Sequence, residues 1–113
     1  MKLPNAEQAT VSEEKIVRYL LNPAHPVGGS KAALFLRHGF SVANWAHFAS
    51  ELRRHASKNE VSETEKTKHG TRFCLDGPLP APDGTILNVR TAWYIDAGAV
   101  TPRFVTAHPL PKI

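Results

Sequence analysis

Cysteine is nearly absent: Cys74 stands alone in the chain. A lone thiol can close no intrachain disulfide and build no thiolate zinc site. That suits a reducing compartment, so the expected location is cytoplasmic, or the cytoplasm of a target cell into which the chain is delivered. Long apolar runs are missing too. Nothing approaches the roughly 20 apolar residues that span a bilayer, so no membrane partner is expected. Met1-Lys2-Leu3-Pro4-Asn5 has no apolar stretch behind it and does not read as a signal peptide. Internal repeats and low-complexity tracts are lacking. Histidines are present at His25, His38, His47, His55, His69 and His108, yet none pairs with a nearby carboxylate at metal-ligand spacing. Neither a metal nor another cofactor is expected.

What the chain does have is enough for one domain. Its 113 residues allow one hydrophobic core, and 42% apolar residues suffice to fill a modest one. The expected division is an N-terminal arm over 1–11, a helical part over 12–58 and a β-meander over 70–108. The net charge of +4 is uneven. Residues 1–59 hold eight basic and four acidic side chains, while 60–113 hold six of each. A basic helical half suggests an anionic partner, against the blander reading of a solvated surface.

Ser12 before Glu13 and Glu14 reads as an N-cap with carboxylates in the first helical turn. Ile16, Val17, Leu20 and Leu21 follow at helical spacing, and Asn22-Pro23 stops a helix of about 13–21. The loop from Pro23 to Gly29 is rich in proline and glycine. Ser30 can cap a second helix carrying Ala33, Leu34 and Phe35, with Gly39 ending it in the left-handed conformation. Ser41 begins a third helix over roughly 42–57. Trp45, Phe48, Ala49, Leu52 and Ala56 line one face of it, and His47, Glu51, Arg54 and Lys58 another.

Residues 60–68 read as an irregular connection or an exposed edge strand. From Gly70 the apolar period changes from helical to alternating. One strand is expected to end at Asp76-Gly77-Pro78, a turn follows over 80–84, a long strand covers 85–95, and a last one covers 103–107. Helices first and strands after predict an α+β fold, its helices packed on an antiparallel meander. Phe35, Phe48, Leu52, Trp93 and Ile95 are the expected core.

Gly28-Gly29-Ser30-Lys31 fails as a nucleotide-binding loop, because Ser precedes Lys and no strand leads into it. What survives is a glycine-softened helix start carrying a lysine, a physically sound anion site. The alternative is a plain helix start with a solvated lysine. His38 is placed to complement a helix C-terminus, and His47 and His55 are expected on the polar side of the third helix. His25, His69 and His108 lie in loops or at strand edges, where general acids and bases more usually stand. Alternation puts Thr91 with Trp93 and Arg103 with Val105. Thr106 then faces away from Arg103, unless a twist or bulge intervenes.

Several phrases together carry a resemblance: Leu3-Pro4-Asn5-Ala6, Tyr19-Leu20-Leu21-Asn22-Pro23, His25-Pro26 with Gly28, Lys31-Ala32 and Gly39-Phe40. Gly70-Thr71, Gly77-Pro78-Leu79, Val89-Arg90-Thr91 with Trp93, and Pro102-Arg103 with Val105-Thr106-Ala107 complete it. The chain resembles a family of small bacterial domains of unknown function, found alone or at the ends of polymorphic toxins, beside a small partner gene. Its order of helices before a meander is similar to the barnase/RelE/colicin class of ribonucleases. Two positions depart from the pattern, for an aromatic residue would be expected at His69 and a tyrosine at His108.

The resemblance implies a metal-independent endoribonuclease toxin that cleaves RNA by attack of its 2′-OH, neutralised by a cognate antitoxin or immunity protein. His25 is the expected base or acid, and Lys31, Arg90 and Arg103 the phosphate clamps. Thr91 or Thr106 would orient an oxygen, and Arg54 and Lys58 would hold the RNA backbone by charge. The alternative is a non-enzymatic protein-binding module of a bacterial two-gene system.

Overall fold

A computed structural model of the chain describes residues 1–26 and 29–110. Gly28, read above as part of the loop and anion site, lies outside them. Helices precede a four-stranded sheet, as the change of apolar period at Gly70 predicts. The Ser12 cap forms: its Oγ accepts the Lys15 N–H at 3.2 Å. The helical stretch after it then widens into a π-helix over Lys15–Leu20. The Leu21 N–H reaches back five residues to the Ile16 carbonyl at 2.8 Å. Ile16, Leu20 and Leu21 go into the core while Tyr19 stays half-buried beside it.

Two α-helices follow, α1 over Gly29–Arg37 and α2 over Trp45–Lys58. The first turn of α1 packs tightly, since a Cβ on Gly29 would meet the Pro23 carbonyl oxygen at 2.5 Å. Gly39 ends the run at φ +104. The end of α1 is pinned to a distant turn, where the His38 Nδ1 and an Asp83 carboxylate oxygen lie 2.9 Å apart. On α2, Phe48, Ala49, Leu52 and Ala56 are buried as predicted. His55 is a correction. It was assigned to the polar side of this helix, yet it is only 3% exposed.

The strands are β1 over Val61–Thr67, β2 over Gly70–Pro80, β3 over Ile86–Asp96 and β4 over Arg103–Pro109. They pair antiparallel in chain order. Residues 60–68 thus supply the exposed edge strand, not the irregular connection. β2 does not stop at Pro78. It pairs with β3 as far as Pro80, whereas β1 pairs with it only as far as Leu75. Beyond that point β2 has one neighbour, and a strand edge tolerates the missing N–H of proline.

The two faces of the sheet differ. Phe73, Leu75, Leu79, Val89, Thr91, Trp93, Phe104 and Ala107 are buried on the inner face, under α2 and the π-helix. Of the predicted core, Phe35, Phe48, Leu52 and Trp93 are fully buried, and Ile95 is packed at the margin. Arg72, Asp76, Arg90, Tyr94 and His108 alternate with the inner residues and occupy the outer face. From the N-terminal arm over 1–11, Leu3, Ala6, Ala9 and Val11 enter the core. Thr10 covers the free edge of β4, accepting the Phe104 N–H at 2.9 Å and donating to the Pro102 carbonyl at 3.0 Å. Among the described residues, no helix is long and apolar enough to cross a membrane.

Candidate functional site

β4 slips by one residue against β3. Ala92 pairs with Thr106, but Trp93 pairs with Phe104, so Val105 is the extra residue of a bulge. Arg103 opposite Tyr94 and Thr106 opposite Ala92 consequently share the outer face. Regular alternation would have put them on opposite sides, and the bulge is what the sequence reading required for a shared cluster.

At the margin of this face the helices bring two more groups to Thr106. Lys31, in the first turn of α1, donates from Nζ to Tyr19 Oη at 2.6 Å and to Thr106 Oγ1 at 3.0 Å. The two hydroxyl oxygens lie 2.9 Å apart, closing a triangle. Each accepts from the ammonium, and one hydroxyl donates to the other. Among the described residues, that leaves one ammonium proton and one hydroxyl proton for a ligand. Lys31 has no carboxylate partner among these residues, so its charge is available too. Its ammonium also sits 4.9 Å from the Tyr19 ring centroid, with Lys15 at 5.3 Å. His25 meets the same ring edge-on at 4.9 Å.

Electrostatics follow from this placement. Partial burial pushes the Tyr19 phenol up, but the hydrogen bonds of Lys31 and Thr106 and the charges of Lys31 and Lys15 together outweigh it. Its pKa lies below the ordinary phenol value. His108, directly opposite Arg90, is two residues from Thr106 on the same face. Burial first, then the charges of Lys31 and Arg90, hold its pKa below the ordinary histidine value. At pH 7 it is therefore a neutral imidazole, able to accept a proton.

The two sheet arginines are engaged. Arg90 grips Asp76 through Nε at 2.7 Å and Nη2 at 3.0 Å, and reaches Glu63 at 3.3 Å. Arg103 holds Asp96 through Nε at 3.0 Å and Nη2 at 3.1 Å, over the ring of Tyr94. Each bidentate pair occupies the fork that would otherwise take a phosphate. These guanidinium groups flank the cluster as part of a mixed-charge surface.

Thr91 is separated from the cluster. It is fully buried on the inner face, where its Oγ1 accepts the Trp93 indole N–H at 2.9 Å and lies 3.1 Å from His55 Nδ1. It cannot touch a phosphate held by Lys31, because the sheet stands between them. Arg54 and Lys58 are exposed on α2, which covers the inner face. Arg54 is paired there with Glu51 at 3.0 Å. These two cations do not join the outer cluster either.

Two groups at the site, Tyr19 and Asp76, were missed by sequence reasoning, while His108 was placed at a position where general acids and bases more usually stand but was not assigned a role. Tyr19 falls within an apolar helical run, and the π-turn that turns its hydroxyl to β4 leaves no mark in the spacing. Asp76 could have been found, since strand pairing across a short hairpin puts it opposite Arg90. Two depressions adjoin the cluster. One of about 200 Å3 is lined by Glu63, Glu65, Arg72, Cys74, Arg90 and His108. The other, of about 380 Å3, is lined by Ser12, Glu14, Lys15, Arg18, Tyr19 and His25. Among the described residues, no group of three or more His, Cys, Asp or Glu side chains could hold a metal ion.

A similar fold is found in a chain of the contact-dependent growth inhibition toxin–immunity protein complex from Klebsiella pneumoniae 342. The two share 16% sequence identity with a TM-score of 0.72, over 95% of this chain and 97% of that one. No curated protein matches. Residues 2–111 match the family described as "Domain of unknown function (DUF6883)", and the chain belongs to that family.

Proposed function

We propose that the chain is a metal-independent endoribonuclease toxin, neutralised by a cognate protein partner. The observation that carries this reading is the triangle of Lys31, Tyr19 and Thr106. It offers a cation without a carboxylate partner among the described residues, with one spare ammonium proton and one spare hydroxyl proton, beside two imidazoles on an accessible face. The reaction needs a proton acceptor, a proton donor and positive charge on the phosphorane oxygens.

In this reading an RNA phosphate lies against Lys31 and Thr106. Neutral His108 takes the proton of the neighbouring 2′-OH, whose oxygen attacks phosphorus. Lys31 stabilises the charge that grows on the non-bridging oxygens. The bond from phosphorus to the 5′-oxygen then breaks. Tyr19, acidified by its two lysine neighbours, gives that oxygen a proton, and His25 against its ring can reprotonate it. The products are a 2′,3′-cyclic phosphate and a 5′-OH. Thr106 orients the phosphate. Arg90 and Arg103 act on it only by exchanging Asp76 and Asp96 for phosphate. The toxin–immunity complex of the similar structure supports a protein partner, and one more acidic than this chain would block the same face.

One observation is shared with the alternative, a non-enzymatic protein-binding module. The carboxylate pairing of Arg90 and Arg103 suits a docking surface as well as an active site. Product chemistry separates the two. Total RNA incubated with the purified protein in excess EDTA should yield fragments with 2′,3′-cyclic and 5′-OH ends. Intact RNA at high protein concentration would sink the nuclease and leave the docking module.

A further inference from the structure

The 380 Å3 depression shares Tyr19 with the cluster but extends away from the sheet, over the π-helix. Two cations, Lys15 and Arg18, stand in its wall. Among the described residues neither forms an ion pair, whereas Arg54, Arg90 and Arg103 each do. Among the described residues lining this depression, Glu14 is the one carboxylate. The Ser12 hydroxyl accepts the Lys15 N–H, which leaves its own proton to donate. Lys15 and Lys31 both hold their ammonium groups within 5.3 Å of the Tyr19 ring centroid. The ring is thus shared by two anion-attracting ammonium groups, one in the cluster and one in the depression.

We infer that this depression is a second phosphate subsite, which binds the phosphate next to the scissile one on the same RNA strand. The inference rests on the ribonuclease reading and names the path of its substrate. A strand crossing Tyr19 sets one phosphate on Lys31 and Thr106 and its neighbour on Lys15 and Arg18. Its substrate class is single-stranded RNA, because consecutive phosphates must follow the bend around one ring. The exposed cations of α2 take no part.

The test measures binding of a 2′-O-methyl RNA tetranucleotide, which cannot be cleaved, across a series of salt concentrations. Each phosphate contact contributes about 0.7 to the slope of log affinity against log salt for a single strand. The double variant Lys15→Ala/Arg18→Ala should lose about that much slope, and Arg53→Ala on exposed α2 should lose none. In cleavage, a trinucleotide should outperform a dinucleotide by about tenfold in kcat/KM, the worth of one charge-assisted contact. That advantage should vanish in the double variant. An unchanged slope and an unchanged length advantage, with wild-type cleavage intact, overturn the subsite and leave the ribonuclease standing. A wild-type protein that neither binds nor cleaves RNA overturns both. Loss of binding to a polyglutamate peptide instead of RNA would make the depression a docking surface for an acidic protein, and also overturns the inference.

Discussion

The sheet carries two polar clusters built alike and satisfied differently. On the inner face, the Trp93 indole N–H donates to Thr91, Thr91 to His55 Nδ1, and His55 Nε2–H to the Gly77 and Val89 carbonyls at 3.2 Å each. On the outer face, Lys31 donates to Tyr19 and Thr106. Both clusters centre on a threonine of adjoining strands. The inner one is closed, since no buried side-chain polar atom among the described residues lacks a partner. The outer one retains protons and an unpaired charge. A satisfied buried network specifies a core, whereas an incomplete one at the surface is able to bind.

The largest effect should come from emptying the inner face. Trp93→Ala removes a fully buried indole and takes away the donor to the Thr91 hydroxyl, which keeps its bond to His55. It should destabilise the protein by about 3–5 kcal/mol, read by denaturant titration. A midpoint unchanged from wild type would show that the inner cluster is not a core element.

The two threonines give a sharper contrast. Thr91→Val leaves the Trp93 N–H and His55 Nδ1 without partners in a dry site, so a loss of about 1–3 kcal/mol is expected. Thr106→Val leaves groups that water can reach, and should change stability by less than about 0.5 kcal/mol while impairing cleavage. Equal stability losses would erase the distinction between the faces.

Acid should weaken the fold next. Burial foremost holds the His55 pKa below its ordinary value, against the pull of the carbonyl bonds, and His108 is likewise depressed. The unfolded chain binds those protons more readily than the native one. Stability is thus level above pH 6.5, the ordinary histidine value, and declines as pH falls from there towards the folded-state values. Further acidification adds losses from Asp76 and Asp96, which their arginines hold below the usual carboxylate range. Stability that rises between pH 6.5 and pH 5.5 would contradict this assignment. The smallest effect is expected for Arg103→Ala, because its half-exposed pair with Asp96 is screened by water and salt. A thermal midpoint lowered as far as that of Thr91→Val would contradict it.

The sequence made the inner cluster partly legible and the outer one barely so. Alternation put Thr91 beside Trp93, and the apolar faces of α2 and β3 foretold most of the core. His55 was misplaced because its type is polar, while its helix position, three residues after Leu52 and one before Ala56, points it at the sheet. The outer cluster depends on two irregularities that spacing conceals, the π-turn under Tyr19 and the bulge at Val105. Lys31, Thr106 and His25 were named from resemblance, yet nothing local could show that they converge on Tyr19. The arginines were legible as residues, but their capture by Asp76 and Asp96 is a matter of strand register.

The most direct test of the outer cluster as a catalytic site is the single-turnover RNA cleavage rate of Lys31→Ala beside wild type, with thermal midpoints taken on the same samples. Loss of one preorganised cation should slow cleavage by on the order of 100-fold or more while the midpoint stays close to that of wild type. Equal rates for the two folded proteins would contradict the account.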